Sequence, residues 1–211
     1  MRLYFIRHGQ TDWNKMRKLQ GQVDIPLNAF GELLARKTGA GLKDIPFAAC
    51  YTSPLKRAKR TAELVLEGKD TVIMEDKRIE EISFGIYEGR CIAKENDEVP
   101  AEFHDGFVHP ERYRTPEGGE SFKQLLDRTK EFLEEICNKE EYRDSNILIS
   151  THGAALAALL ANVRGADLKD YWGSGVHKNC AVTAVDVTEN GFEIVFENRV
   201  YYDDEVEDWN V

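Results

Sequence analysis

Two histidines of the sequence are each followed by a glycine, and each pair comes directly after a short apolar segment. His8 follows residues 3–7 and His152 follows residues 146–151. A neutral imidazole is a competent nucleophile, whereas a cationic imidazole can stabilise negative charge that develops during a reaction. A glycine after each histidine lets the backbone approach a ligand closely. The two pairs therefore indicate a site where one histidine attacks an anionic group and the other stabilises it.

Two arginines indicate which anion this site would bind. Arg7 precedes the first histidine, and Arg57 lies in the stretch "TSPLKR" after a second apolar segment. A guanidinium group stays charged at any working pH and grips phosphate oxygens with a planar fork of donors. With Asn14 as a further donor, two arginines could hold the three oxygens of a phosphoryl group that is being transferred.

The apolar segments 3–6, 47–53 and 146–150 are predicted to be buried strands that bring these residues together. Ligands of open α/β sheets bind beyond the carboxyl ends of the strands, so the residues that follow the three segments should share one crevice. Arg57 and His152 are expected at or near helix N-termini, where free N–H groups favour an anion.

The remaining pattern predicts an α/β fold: a three-layer sandwich with a mostly parallel central sheet and helices on both faces. One domain is expected over residues 1–211, with a loop-rich excursion at about 85–118 that contains one or two short helices. A hairpin signal at 189–191 joins two β-rich runs. The other predicted elements are a helix from the cap Asn28 to Lys43, a helix over 54–68 with Pro54 in its first turn, a strand over 70–75, a helix from Ser121, and a helix over 151–163.

Five segments, "RHGQTDWN", "QGQVDIPLNAFG", "SPLKRAKRTA", "EEISFGIYEG" and "THG", occur in this order along the chain. In this arrangement the sequence resembles the histidine phosphatase superfamily, which is phosphoglycerate mutase-like, from residue 5 to about 155. The resemblance implies that His8 accepts the phosphoryl group and that Glu81 donates a proton to the leaving oxygen. Water then attacks the phosphohistidine while Glu81 acts as base, and no metal or cofactor takes part.

The resemblance also implies roles for the residues around His8. Gln10, Tyr87 and Thr151 stand where Glu, Trp and Ser are frequent in the family, and these are mild substitutions. Glu88 is expected to be structural. The phosphate pocket would be completed by Arg7, Arg57 and His152, with Asn14, Thr11, Gln20, Gly21 and Gly153 binding phosphate or substrate.

Two rival chemistries fit the sequence less well. A cysteine phosphatase loop places five residues between its cysteine and arginine, whereas six residues separate Cys50 from Arg57. A metal site built from His8, His152 and Glu81 would lie beside two arginines, which repel a divalent cation.

Within the family, the sequence favours a phosphatase over a cofactor-dependent mutase. The region after "YEG" is shorter than the mutase insertion, carries more acid than base up to His109, and lacks paired arginines. Water should therefore reach the phosphohistidine and release phosphate from a small phosphomonoester. Mutase-type phosphoryl transfer and phosphate-ligand binding without catalysis remain the alternatives.

Candidate wall residues of the substrate pocket are Phe103, Phe107, Arg112 and Tyr113, and His104 or His109 could join them. His177 is expected at the surface.

The composition of the chain indicates which class of partner it binds and in which cellular compartment it lies. The net charge of −10 disfavours nucleic acid, so a small phosphorylated metabolite is the expected partner. No apolar run is long enough to span a membrane, and the first residues lack a signal-peptide pattern, which predicts a cytoplasmic protein. Four scattered cysteines predict free thiols. The C-terminal hairpin edge would permit a homodimer. Lys56, Lys59, Arg60 and the acidic tail 201–211 are expected to be solvated.

Overall fold

A six-stranded sheet forms the centre of the computed structural model, which describes residues 1–205. The strands span Arg2–Arg7 (β1), Phe47–Thr52 (β2), Ile73–Glu75 (β3), Asn146–Thr151 (β4), Val182–Thr188 (β5) and Gly191–Arg199 (β6). Their spatial order is β3-β2-β4-β1-β5-β6. The first four strands in this order are mutually parallel, and β5 and β6 add an antiparallel hairpin.

Helices cover both faces of this sheet, as predicted. The helices span Asp12–Lys15 (α1), Ala29–Gly41 (α2), Lys56–Val65 (α3), Ala101–Val108 (α4), Phe122–Cys137 (α5) and Gly153–Arg164 (α6). Alternate residues of a strand point to opposite faces, so Tyr4 and Ile6 pack with α2 and α3, whereas Leu3 and Phe5 pack with α5 and α6. The mostly parallel three-layer sandwich is therefore confirmed.

Side-chain caps determine where two of these helices begin. The carboxamide oxygen of Asn28 accepts from the Gly31 N–H at the start of α2, and Ser121 forms a capping box with Gln124 at the start of α5. Both starts were predicted. The prediction for Pro54 was wrong, because α3 begins two residues later, after Leu55.

The helix α2 contains glycines, which are unfavourable inside a helix, and the structure gives the reason for one of them. Gly31 packs against the backbone of Gln10, where an added Cβ would lie 2.1 Å from the Gln10 carbonyl oxygen. A Cβ at Gly9 would in turn lie 2.6 Å from the Gly31 carbonyl oxygen. Gly9 therefore allows the loop after β1 to approach α2, which is a packing reason for this glycine beside the predicted approach to a ligand.

The excursion holds α4 and a 3-10 turn at Pro110–Arg112, and it covers a third apolar cluster beside the sheet. Phe103 and Phe122 lie in this cluster, together with the first turns of α6. The cluster packs the excursion near the carboxyl ends of the parallel strands, which is the edge of the sheet where the site was predicted.

The acidic tail is only partly solvated. Tyr202 is buried, and its hydroxyl donates to the carbonyl oxygen of Asn179, while residues 206–211 lie outside the described part of the chain. All four cysteines are free thiols, of which Cys50 and Cys180 are buried. Within residues 1–205, no helix is both long and apolar enough to cross a membrane.

Candidate active site

The carboxyl ends of three neighbouring strands meet at one edge of the sheet, as the sequence predicted. β4 lies between β1 and β2, so the residues that follow each strand are adjacent. The His8 N–H donates to the Thr151 carbonyl oxygen over 2.9 Å, and the Ser53 N–H donates to the Ser150 carbonyl oxygen over 3.0 Å. These bonds continue the parallel ladders beyond the strand ends and hold the two histidines side by side.

His8 is buried, and its hydrogen bonds define its tautomer. Its Nδ1 lies 2.7 Å from the Gly9 carbonyl oxygen, which can only accept, so Nδ1 carries the proton and Nε2 keeps a free lone pair. Burial, followed by the charges of Arg57 and Arg7, holds the pKa of His8 well below its ordinary 6.5. The imidazole is therefore neutral at physiological pH and has the form of a nucleophile.

Arg57 is a fully buried cation whose hydrogen-bond partners are neutral. Its guanidinium donates to the carbonyl oxygens of Gly21 and Val23 over 2.7 and 2.8 Å, and its Nε donates to His152 Nδ1 over 3.1 Å. Burial lowers the pKa of Arg57 to about 10, so the charge persists at neutral pH. Among residues 1–205, no carboxylate forms a salt bridge with it. A buried charge in this setting is stabilised by an incoming anion.

His152 links this arginine to the end of β2. Because Nδ1 accepts from Arg57, the proton resides on Nε2, which donates to Ser53 Oγ over 2.7 Å. Burial and the charge of Arg57 hold the pKa of His152 well below 6.5. The second histidine was expected to be cationic, and this was wrong for His152 in this structure. The positive charge beside it is the Arg57 guanidinium, which disfavours a second one. The ring centroids of His152 and His8 lie 5.2 Å apart.

Arg7 reaches the same site from β1, and a residue that the sequence analysis placed at the surface holds it. The guanidinium donates to the backbone carbonyl oxygen of His177, which is only 3% exposed. The His177 ring lies between Thr183 Oγ1 and the Glu197 carboxylate, which explains why it is buried. The surface prediction for His177 was wrong because these contacts come from β5 and β6, six and 20 residues farther along the chain. Burial lowers the pKa of Arg7 to about 10.

Glu81 lies against the N-terminus of α6. Its Oε1 accepts from the N–H groups of Ile82 and Ala155 over 3.1 and 3.0 Å, and its Oε2 accepts from Ala154 N–H over 3.2 Å. A Cβ at Gly153 would lie 3.6 Å from Glu81 Oε2 and 3.8 Å from Arg7 Nε. Gly153 therefore lies between the carboxylate and the guanidinium, with no side chain to fill the space.

The backbone of Glu81 is held by Arg128 of α5, which the sequence analysis did not identify. The Arg128 guanidinium donates to the carbonyl oxygens of Arg78, Glu80 and Glu81 over 2.7, 2.8 and 3.1 Å. Its fork also pairs with both oxygens of the Glu120 carboxylate. The one sequence signal for this role was a basic residue directly beside the apolar face of the helix.

Replacing Arg128 with methionine is expected to reduce kcat for alkyl phosphates by roughly 10- to 100-fold, because a displaced carboxyl group protonates the leaving oxygen poorly. KM should change little, since the arginines around His8 are unaffected. Kinetics with alkyl and para-nitrophenyl esters would measure this, because only the alkyl esters need the proton. Lys130→Met, an exposed site on the same helix, is the control. An equal loss for both ester classes would contradict this positioning role.

A cleft opens onto these groups. Arg7, His8 and Glu81 line it, together with the predicted residues Gln20, Gly21 and Gly153, whereas Arg57 and His152 are fully buried and are not among the lining residues. Thr11 and Asn14 do not line this cleft. They form a capping box at the start of α1, in which Asn14 Oδ1 accepts from Thr11 N–H over 3.0 Å.

Glu88 is structural, as predicted. Its Oε1 accepts from the N–H groups of Gln22 and Phe84 over 3.0 Å each. Gly21 packs on this carboxylate with a φ of +49°, and a Cβ there would overlap it at 2.0 Å. The two loops that supply Gly21 and Glu81 are thus tied together. Lys56, Lys59 and Arg60 form exposed ion pairs, which confirms the solvated basic face.

The excursion contributes fewer wall residues than expected. Phe107 lines the cleft, but Phe103 and Tyr113 pack inside the aromatic cluster, and Arg112 points to solvent beside Glu111. His104 pairs with Asp97, and His109 lies beside Glu111, so neither reaches the cleft. Sequence reasoning missed the wall residues Lys18, Leu19, Phe84, Ile92, Trp172 and Val176.

The two rival chemistries find no support in residues 1–205. Burial raises the pKa of the Cys50 thiol far above its usual range, which is the reverse of what a nucleophilic cysteine needs. No group of three or more His, Cys, Asp or Glu side chains converges in the described chain in a way that could hold a metal ion.

Three buried neutral histidines predict how the stability of the fold depends on pH. His8, His152 and His177 have pKa values below 6.5, whereas the unfolded chain protonates near that value. Below pH 6.5 the unfolded state therefore binds more protons, and each histidine lowers the free energy of unfolding by up to about 1.4 kcal/mol per pH unit. Urea unfolding at pH 7.5, 6.5 and 5.5 should show this loss, with a smaller slope in His177→Asn. An equal slope in both proteins would contradict the expectation.

Comparison with known proteins places this geometry in a family. The model of the histidine phosphatase superfamily (branch 1) matches residues 3–200. The chain belongs to this superfamily. The match extends through β5 and β6, well past residue 155, where the resemblance of the sequence segments ended.

Individual members of the superfamily agree with this assignment. The chain is 38% identical over 162 residues to the uncharacterized phosphatase PhoE of Bacillus subtilis (strain 168), with 77% of each chain covered. It is 34% identical over 190 residues to the probable phosphoglycerate mutase GpmB of Serratia proteamaculans (strain 568), covering 88% of this chain and 85% of that one. The solved structure of Bacillus stearothermophilus YhfR superimposes with a TM-score of 0.86 at 33% identity, covering 94% and 97%. Together they support a hydrolase or phosphoryl-transfer enzyme.

Proposed function

We propose that the protein is a metal-independent phosphatase that hydrolyses a small phosphomonoester through a phosphohistidine on His8. The observation that carries the proposal is the combination of a neutral His8 with a free Nε2 lone pair and two buried arginines beside it. Arg57 supplies a buried positive charge whose hydrogen-bond partners are neutral, so a phosphate dianion is the natural complement.

In the first step, the phosphate lies against Arg7 and near the buried charge of Arg57, and His8 Nε2 attacks phosphorus in line with the leaving oxygen. The N–P bond forms while the P–O bond to the alcohol breaks. The carboxyl group of Glu81 gives its proton to the departing oxygen, so the alcohol leaves as a neutral molecule. His152 and Ser53 keep the Arg57 guanidinium in place during the transfer.

In the second step, water attacks the phosphohistidine and the N–P bond breaks. The Glu81 carboxylate takes a proton from the water, which returns the site to its starting state and releases phosphate. The excursion adds no basic residue to the lining of the described cleft, in which Lys18 is the one basic side chain besides Arg7. A mutase would need more such side chains to hold the second phosphoryl group of a bisphosphate, so hydrolysis is favoured over transfer to a second substrate.

The decisive experiment is chemical quench of the wild-type protein with para-nitrophenyl phosphate in EDTA, followed by mass spectrometry under conditions that preserve phosphohistidine. We expect one phosphoryl group on the peptide that contains His8, together with continuous release of phosphate. Transfer to added 3-phosphoglycerate instead of water would identify a mutase. Phosphate binding without any phosphohistidine would identify a binding protein and overturn the proposal.

A further inference from the structure

Apart from the groups around His8, the lining of the cleft is almost entirely apolar. The polar lining residues Arg7, His8 and Glu81 would surround the phosphate. The leaving group of a substrate must contact other parts of the lining, because it points away from the attacking nitrogen in an in-line transfer. The apolar side chains of the lining are those of Leu19, Phe84, Ile92, Phe107, Trp172 and Val176.

Two of these side chains form a stacked aromatic wall. The rings of Phe107 and Trp172 lie 5.7 Å apart with an interplanar angle of 29°. The only hydrogen-bond donor of the indole, Nε1, is already used, since it donates to the Gly106 carbonyl oxygen over 3.1 Å. Trp172 therefore offers the leaving group an apolar surface and no polar contact.

Polar side chains elsewhere in the lining are few. Apart from Arg7, His8 and Glu81, the polar side chains that residues 1–205 contribute to the lining are those of Lys18 and Gln20. Gln20 is more than nine-tenths buried, and no donor within residues 1–205 reaches its Oε1. One buried acceptor can satisfy one donor of a ligand, and one lysine at the lining offers one positive charge.

We propose that the apolar lining of the cleft selects phosphomonoesters of apolar, ring-bearing alcohols. The inference rests on the phosphatase activity proposed above. A ring placed against Phe107 and Trp172 buries apolar surface without leaving a polar group unpaired. A polyhydroxylated sugar phosphate has several hydroxyls and finds one free acceptor, so most of its hydroxyls would lose their hydrogen bonds to water.

The test compares esters that share a primary alkyl leaving group, so that the chemical step is similar in all of them. The panel contains benzyl phosphate, ethyl phosphate, glucose 6-phosphate and 3-phosphoglycerate, each assayed for phosphate release in EDTA. We expect kcat/KM for benzyl phosphate to exceed that for the other three by roughly 10- to 100-fold, which is the value of burying one aromatic ring.

Variants locate the effect in the wall. Phe107→Ser should remove most of the preference for benzyl over ethyl phosphate, because kcat/KM should fall much more for the ester whose ring packs against the wall. Val108→Ser is the matched control, because Val108 is the next residue of the same helix, is 64% exposed and does not line the cleft. Val176→Ser, which lies outside the aromatic cluster, is a second variant should Phe107→Ser fail to fold.

The outcomes separate this inference from the proposed function. If glucose 6-phosphate or 3-phosphoglycerate is hydrolysed as well as benzyl phosphate or better, the inference is overturned and the phosphatase stands. A benzyl preference that survives in both Phe107→Ser and Val176→Ser also overturns it. If no ester releases phosphate, including ethyl phosphate, the proposed function fails and the inference fails with it.

Discussion

Replacing His8 with alanine is expected to lower phosphomonoester hydrolysis by at least about 10⁴-fold, because the variant has no atom that can accept the phosphoryl group. Nδ1 donation to the Gly9 carbonyl oxygen leaves Nε2 as the only free ring nitrogen of His8, and alanine removes it. The measurement is steady-state phosphate release in EDTA, together with a search for the acid-labile adduct.

Two controls separate this chemical effect from damage to the fold. Binding of inorganic phosphate, followed by thermal shift, should persist in His8→Ala, since Arg7 and Arg57 remain. His104→Ala, on the excursion and away from the cleft, should keep wild-type activity. A His8→Ala protein that binds phosphate and hydrolyses esters within tenfold of the wild-type rate would exclude the phosphohistidine mechanism.

The second large effect is expected for Glu81→Gln. Glutamine has the size of glutamate, and its one carbonyl oxygen can still accept from the Ile82 and Ala155 N–H groups, although its amide nitrogen cannot accept from Ala154. It has no acidic proton to give to a leaving alkoxide. We expect kcat/KM for alkyl phosphates to fall by about 10²- to 10⁴-fold. The loss should be much smaller for para-nitrophenyl phosphate, because nitrophenolate leaves without protonation.

The adjacent Glu80 offers a matched control. Its side chain does not line the cleft, so Glu80→Gln should be close to wild type with both ester classes. The comparison matters because the sequence has two neighbouring glutamates, and only the structure places one of them at the helix N-terminus next to Arg7. Equal losses for both ester classes in Glu81→Gln would show that this carboxyl group acts on folding or binding and not as the acid.

Local patterns predicted much of the fold. Short apolar runs became β1, β2 and β4, and the caps Asn28 and Ser121 mark the starts of α2 and α5. These signals lie within a few residues of the element that they specify, so one sequence is enough to recognise them. Boundaries were less accurate where no side-chain cap exists, as at α3, which begins after Leu55 without a capping hydrogen bond.

Contacts between distant segments account for the errors. His177 is buried because Glu197 and Thr183 lie beside it, and neither residue is marked by a local pattern. Trp172 lines the cleft because the loop before β5 packs on α4, about 65 residues earlier in the chain. The pattern of apolar residues within one segment does not show which other segment it will contact.

By itself, the sequence determined the α/β class and the side of the sheet where Arg7, His8, Arg57 and His152 converge. Residues that directly follow parallel strands must meet at one edge. Only the tertiary structure decided the charge of each group and the shape of the cleft. Burial makes His152 neutral beside the Arg57 cation, and packing of the excursion on the loop before β5 builds the apolar wall. Both depend on which side chains lose contact with water, and that is known only when the chain has folded.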